Sequence, residues 1–163
     1  LEFRRVLFRS DSLATWWPAA VGPFCNDQRL LLDLVVEDQE VGLKRMRAGE
    51  VAACVCASER PVAGARAMLL GAMRYRALAS PAFIARHFPG GVTAQALAHA
   101  PAIVFGPDDL LQHRYLSKLG VEGGFAHHLC PSSEGFIRLA QAGFGWGLIP
   151  ELQVQAEIGR AHV

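Results

Sequence analysis

Cysteine is scarce, with four residues (Cys25, Cys54, Cys56 and Cys130) in a chain of 163. That is too few for a disulfide-built scaffold, and Cys54 and Cys56 alternate inside an apolar run, so reduced, mostly buried thiols are expected. Net charge is also nearly absent, at a formal +1. That gives no electrostatic footprint for nucleic acid, which would need a clustered basic face, so this segment alone is not expected to bind DNA strongly. No apolar run approaches the ~18 residues that a membrane span needs. The amino end shows no basic start, apolar middle and small-residue cleavage site, so the expected compartment is the cytoplasm. What is abundant is apolar side chain, 52% of residues, with a mean hydropathy of +0.22. Such a chain suits one substantial buried domain or two small lobes.

The two ends read differently from the middle. Val6 to Ser10 (VLFRS) and Glu157 to Val163 (EIGRAHV) can be encoded by reverse-complementary stretches of one sequencing-adapter oligonucleotide. On that reading residues 1–10 and 157–163 are non-native segments, set aside from the fold as a tag would be. The fold is then expected from about Asp11 to Ala156, a fragment truncated at both ends.

Between those limits, strand and helix patterns alternate. Asp11 or Ser12 can cap a helix carrying Leu13, Trp16 and Trp17 and ending near Gly22-Pro23, with Pro18 as a possible kink. "RLLLDLVVED" has the Leu- and Val-rich character of a buried parallel strand. Asp38 can cap the next helix, which Gly49 stops, and "VAACVCA" is the following buried strand. "AMLLGAMRYRALAS" reads as one long extended run bent at Gly71, where the chain crosses between lobes. Ser80 before Pro81 lacks the flanking glycines of a nucleophile elbow and reads as a helix cap, with Phe83, Ile84 and Phe88 on one face. Thr93 caps another helix, "AIVFG" is a strand, and "PDDLLQHRYLSKLG" is a helix with Leu110, Leu111 and Leu116 inward. "FAHHLC", a helix capped by Ser132 or Ser133, and "FGWGLIP" complete an α/β order of two lobes.

The chemistry-bearing residues divide into weak and coherent sets. On a strand His127 and His128 point to opposite faces, so "HHLC" does not gather a metal site, and no metal is expected. Nothing places a base or an oxyanion hole beside Cys130, so no catalytic residue is assigned. The glycines of "GFGWG" do not link a strand to a helix, which leaves close packing rather than a phosphate loop. A coherent set lies at the carboxyl ends of the strands, where open α/β sheets bind ligands. Asp11, Ser12 and Thr15 open one helix, and Ser132, Ser133 and Glu134 open another, with N–H groups and hydroxyls suited to a carboxylate. Glu37, Asp38, Asp108 and Asp109 offer negative charge in the same layer. Each alone is explained by capping; together they suit an α-amino acid with a basic side chain.

The series "SLATWWPAAV", "LDLVVEDQEVGLKRMRAGEVAACV", "LLGAMRYRALASPAFIARHFPGGVT" and "SSEGFIRLAQAGFGWGLIPELQV" resembles the effector-binding domain of LysR-type transcriptional regulators, nearest the arginine- and lysine-responsive group known as ArgP or LysG. The resemblance implies two Rossmann-like subdomains of a type 2 periplasmic-binding-protein-like fold, I over residues 11–72 and II over 73–156, hinged near Gly71 and Tyr75, with the first strand expected before Asp11 and the return strand and closing helix expected after Ala156 lacking from this sequence. It implies an effector, lysine or arginine, held between the subdomains by Ser12, Thr15, Glu37, Asp38, Asp108, Ser132 and Ser133, with no cofactor. It further implies homodimerisation through effector domains, DNA contact only through a winged helix-turn-helix outside this sequence, and control of amino-acid export or metabolism genes without enzymatic turnover. Two rivals share parts of the pattern: a periplasmic amino-acid-binding protein, and an α/β enzyme using Cys130 with His127 or His128.

Overall fold

In the computed structural model, residues 3–36, 39–57 and 63–157 are described. The chain divides into two compact units, Leu1–Ala72 and Met73–Val163.

The first unit is a three-stranded parallel sheet with helices between its strands. Strand β1 (Phe3–Phe8) leads through α1 (Ser10–Ala14) and α2 (Trp17–Asp27) to β2 (Leu31–Val36). Helix α3 (Gln39–Arg47) then leads to β3 (Ala53–Cys54). The sheet order is β2-β1-β3, so α3 carries the chain past β1. β1 pairs with β2 from Phe3↔Leu31 to Phe8↔Val36 and with β3 at Val6↔Ala53 and Leu7↔Cys54. The Ala52 and Val55 N–H groups donate to Arg5 O at 2.8 Å and Leu7 O at 2.9 Å, lengthening that second ladder. The first strand expected to be lacking is therefore present, built from the stretch set aside as foreign. Its apolar segment Val6-Leu7-Phe8 has strand chemistry whatever its codons resemble, and Leu7 and Phe8 are fully buried. Phe8 meets the Trp17 ring edge to face, with centroids 4.4 Å apart.

Two other expectations change in this unit. The opening helix is two helices, because Thr15 leaves helical geometry (φ −123, ψ −97). Pro18 then occupies the first turn of α2, where its missing N–H costs nothing, and α2 runs past Gly22-Pro23 to Asp27. The "LLLDLVV" strand is parallel but lies at the sheet edge, with Leu31, Leu34 and Val36 exposed. Gly49, at φ 72, ends α3 in the left-handed conformation that glycine tolerates.

The second unit starts with β4 (Tyr75–Leu78), α4 (Pro81–His87) and α5 (Ala94–His99). It continues through β5 (Ala102–Val104), α6 (Leu111–Lys118) and β6 (His127–Leu129). It closes with α7 (Ser133–Gln141), β7 (Gly147–Pro150) and α8 (Glu151–Glu157). The long extended run expected before it is a strand only over Tyr75–Leu78; Met68, Leu69 and Leu70 are exposed. β4 pairs antiparallel with β7, and β5 pairs parallel with β6. Trp146 joins the two pairs: Ile103 N donates to Trp146 O at 2.8 Å and Trp146 N donates to Pro101 O at 3.1 Å. Its indole N–H also reaches Ala100 O, inside a core of Phe83, Phe88, Leu97, Leu116 and Leu148.

Local chemistry sets the helix starts. The hydroxyls of Ser80, Thr93 and Ser132 accept from the N–H groups of Phe83, Ala96 and Gly135, each three residues on. The glycines of "GFGWG" serve packing: a Cβ on Gly147 would lie 2.3 Å from the Phe136 ring, and one on Gly145 would lie 2.8 Å from Pro101 O. Helix α6 corrects one expected core position. Leu110 sits at its N-cap and is 49% exposed, while Gln112 takes the fully buried place one turn before Leu116.

Each unit has one side chain or backbone position whose change should be costly. Phe8→Ala is expected to lower stability by about 3–5 kcal/mol by leaving a cavity beside Trp17. Gly147→Ala is expected to cost about 1–3 kcal/mol by displacing Phe136. Urea unfolding followed by circular dichroism checks both, and an unchanged midpoint for either variant would contradict the packing assigned to it.

Candidate functional site

A hydrogen-bonded polar cluster lies at the carboxyl edge of β5 and β6. These strands are parallel neighbours, so the loop after β5, carrying Asp108, and the turn after β6, carrying Ser132 and Ser133, leave the same edge of one sheet. Such edges are where open α/β sheets place ligands.

At the β6 exit, Ser132 has extended backbone (φ −148, ψ 119). Its hydroxyl accepts from Gly135 N at 3.1 Å, and its carbonyl accepts the first helical bond from Phe136 N at 2.8 Å. Ser133, the first helical residue, is buried, and its carbonyl accepts from the buried Gln153 side chain of α8 at 3.3 Å. The first-turn N–H groups of a helix and its dipole together favour an anion at this end. A carboxylate matches that chemistry.

At the β5 exit the two neighbouring acids behave differently. Asp109 accepts from Phe105 N at 3.3 Å and from Leu111 N at 3.0 Å, tying the loop to the start of α6. Asp108 is exposed and has no hydrogen bond or ion pair among the described residues, so its charge is available to a cation. Gln112 braces the strand beneath, donating to Ile103 O at 2.8 Å, while its Oε1 has no hydrogen-bond partner among the described residues. Gln112 is not among the residues expected at the site from sequence. The signal was its spacing, one turn before the core residue Leu116 on an amphipathic helix.

The remaining predicted residues lie elsewhere or undescribed. Ser12 is buried within α1. Thr15 stands at the C-terminal end of α1, its hydroxyl donating to Asp11 O at 2.6 Å. Neither Asp11 nor Ser12 caps that helix, since Ser10 already begins it and Arg9 is the N-cap residue. Glu37 and Asp38 fall outside the described residues. Gly71 has φ 132, a backbone state reserved in practice for glycine, and Tyr75 opens β4 opposite Pro150. Ser12 and Thr15 belong to the first unit, and Asp108, Ser132 and Ser133 to the second.

The histidines of "HHLC" have different neighbours. His127 contacts the rings of His113 and Phe125, and its Nδ1 lies 2.9 Å from Phe125 O. His128 meets Phe144. Cys130 donates weakly to Ser132 O at 3.7 Å. Among the described residues no group of three or more His, Cys, Asp or Glu gathers to hold a metal. No described helix is long and apolar enough to cross a membrane.

The LysR substrate binding domain family model matches residues 5–163. The chain belongs to that family. It is 75% identical over 162 residues to the HTH-type transcriptional regulator ArgP of Pseudomonas aeruginosa strain UCBPP-PA14, covering 99% of this chain and 54% of that protein. It is 39% identical over 157 residues to the ArgP regulator of Aeromonas salmonicida, covering 95% of this chain and 52% of that protein. The solved structure of ArgP from Mycobacterium tuberculosis superposes with a TM-score of 0.88 at 35% identity, covering 96% of this chain and 53% of that one. Full-length LysG from Corynebacterium glutamicum with bound effector Arg superposes with a TM-score of 0.80 at 31% identity, again over 96% of this chain and 53% of that one. The chain spans about half the length of the curated relatives it matches.

All four cysteines are free thiols, as expected, but only Cys25 is buried; Cys54, Cys56 and Cys130 are partly exposed. Burial, and secondarily the neighbouring Cys56, push the Cys54 thiol up from 9.0 to about 11. The neutral form is the one favoured by the fold, so this contribution to stability is present below pH 9.0 and is lost as pH rises through about 11. Iodoacetamide labelling of Cys54, read by peptide mass, is expected to accelerate through about pH 11 in the folded chain. A half-maximal rate near 9.0 in the folded chain would contradict the environment described.

Proposed function

We propose that this chain is the ligand-sensing part of a cytoplasmic LysR-type transcriptional regulator, and that lysine or arginine is its effector. The likeness to LysG with bound effector Arg carries this reading, and the ArgP regulators of higher identity agree with it. Ser132, Ser133 and the start of α7 take the α-carboxylate, using N–H groups and a hydroxyl at the positive end of a helix. Asp108, with Glu37 and Asp38 from the other unit, takes the ammonium or guanidinium group. Ser12 and Thr15 are the first unit's polar contributors to effector binding, and Gly71 and Tyr75 mark the hinge.

The mechanism is linkage. An effector that prefers one arrangement of the two units shifts the population toward it. A homodimer passes that preference to winged helix-turn-helix domains outside this chain, which contact DNA at genes for amino-acid export or metabolism.

Calorimetric titration of the full-length parent regulator with lysine, arginine, glutamate and leucine tests the reading. Saturable binding of lysine or arginine, and of neither glutamate nor leucine, is expected. Ser132→Ala and Asp108→Asn should each weaken that binding about 10- to 100-fold, the worth of one hydrogen bond to a charged group. Loss of all four heats with DNA binding intact would remove the basic-amino-acid effector and leave the family.

A further inference from the structure

The turn that opens α7 is packed more closely than a helix start requires. Gly135 is the third residue of α7, and its backbone N–H is the one that donates to the Ser132 hydroxyl, at 3.1 Å. A Cβ on Gly135 would stand 3.1 Å from Cys130 Sγ and 3.3 Å from both Cβ and Oγ of Ser132. The same Sγ donates weakly to Ser132 O at 3.7 Å, and that carbonyl also accepts the first helical bond from Phe136 N. Cys130, Ser132 and Gly135 thus form one interlocked group.

Helix stability does not call for a glycine here. Glycine gives up more backbone freedom than alanine on entering a helix, and a capping box places Glu or Gln three residues after the cap. At this position the Cys130 sulfur takes the space that such a side chain would claim.

We propose that Gly135 is a positioning residue for the effector. By admitting Cys130 Sγ against the first turn of α7, it holds the Ser132 cap in the orientation that receives the α-carboxylate. The inference rests on the reading that this turn takes that carboxylate. Gly135 acts through Ser132 and touches no effector atom itself. A side chain at Gly135 makes its neighbours give by a few tenths of an ångström, and recognition by a hydroxyl and aligned N–H groups tolerates displacements of only roughly 0.5 Å.

The test is calorimetric titration of the full-length parent regulator and its variants with arginine, with thermal melting of the same samples followed by circular dichroism. Gly135→Ala should weaken arginine binding about tenfold, while the melting temperature stays level or rises because alanine favours the helix. Adding Cys130→Ala should recover most of the lost affinity, since the alanine methyl then occupies the space that the sulfur vacates. Arginine binding by Gly135→Ala equal to the parent's, a loss that Cys130→Ala does not recover, or a melting temperature that falls together with affinity would each overturn the proposal. Two other outcomes would remove the underlying reading, and this inference with it: no heat from the parent with arginine, or arginine affinity that survives Ser132→Ala.

Discussion

A strand with a parallel neighbour on each edge commits its backbone to two ladders, and β1 holds that position in the first unit. Leu7 and Phe8 supply its buried side chains, Trp17 closes over Phe8, and the ladders to β2 and β3 use the backbone on either edge. Everything else in the unit is arranged around this strand. α1 and α2 return the chain to its β2 side, and α3 carries it across to the β3 side. The Arg5–Asp33 ion pair, at 2.6 Å and in register across β1 and β2, lies on the exposed side and adds little beside that burial.

The second unit solves a different problem, joining an antiparallel pair to a parallel pair. Trp146 does so with backbone bonds to Pro101 and Ile103 and an indole bond to Ala100. Glycines on either side remove the steric obstacle: Gly145 admits the Pro101 carbonyl and Gly147 admits the Phe136 ring. Helix α7 consequently sits tight on β7, and its start is held from one side by the Ser132 cap and from another by Gln153. The anion-favouring turn therefore belongs to a rigid element, as recognition by aligned N–H groups requires.

Local chemistry was the legible part of this sequence. Ser80, Thr93 and Ser132 each lie three residues before the N–H they accept from, and Gly49 lies where a helix must end; these are contacts within one turn. Tertiary partners were not legible in the same way. "LLLDLVV" has the composition of a central strand but takes the edge, because β1 occupies the centre. Nothing about Leu110 marked it as exposed until Gln112 claimed the inward position on α6. The same division holds at the candidate site. The Ser132 and Ser133 turn followed from capping logic, whereas the different duties of Asp108 and Asp109 depend on the path of the loop between β5 and α6.

The central place of β1 also has a consequence in time. During synthesis this strand is complete before either of its neighbours exists, and extending the chain from Phe8 to Val36 takes roughly one to six seconds at about 5–20 residues per second. β3 comes later still. Throughout that interval the Val6-Leu7-Phe8 segment has no partner strand on either edge, and pairing of distant parallel segments is intrinsically slow. The most buried strand of the first unit is thus the one that must wait longest to be covered.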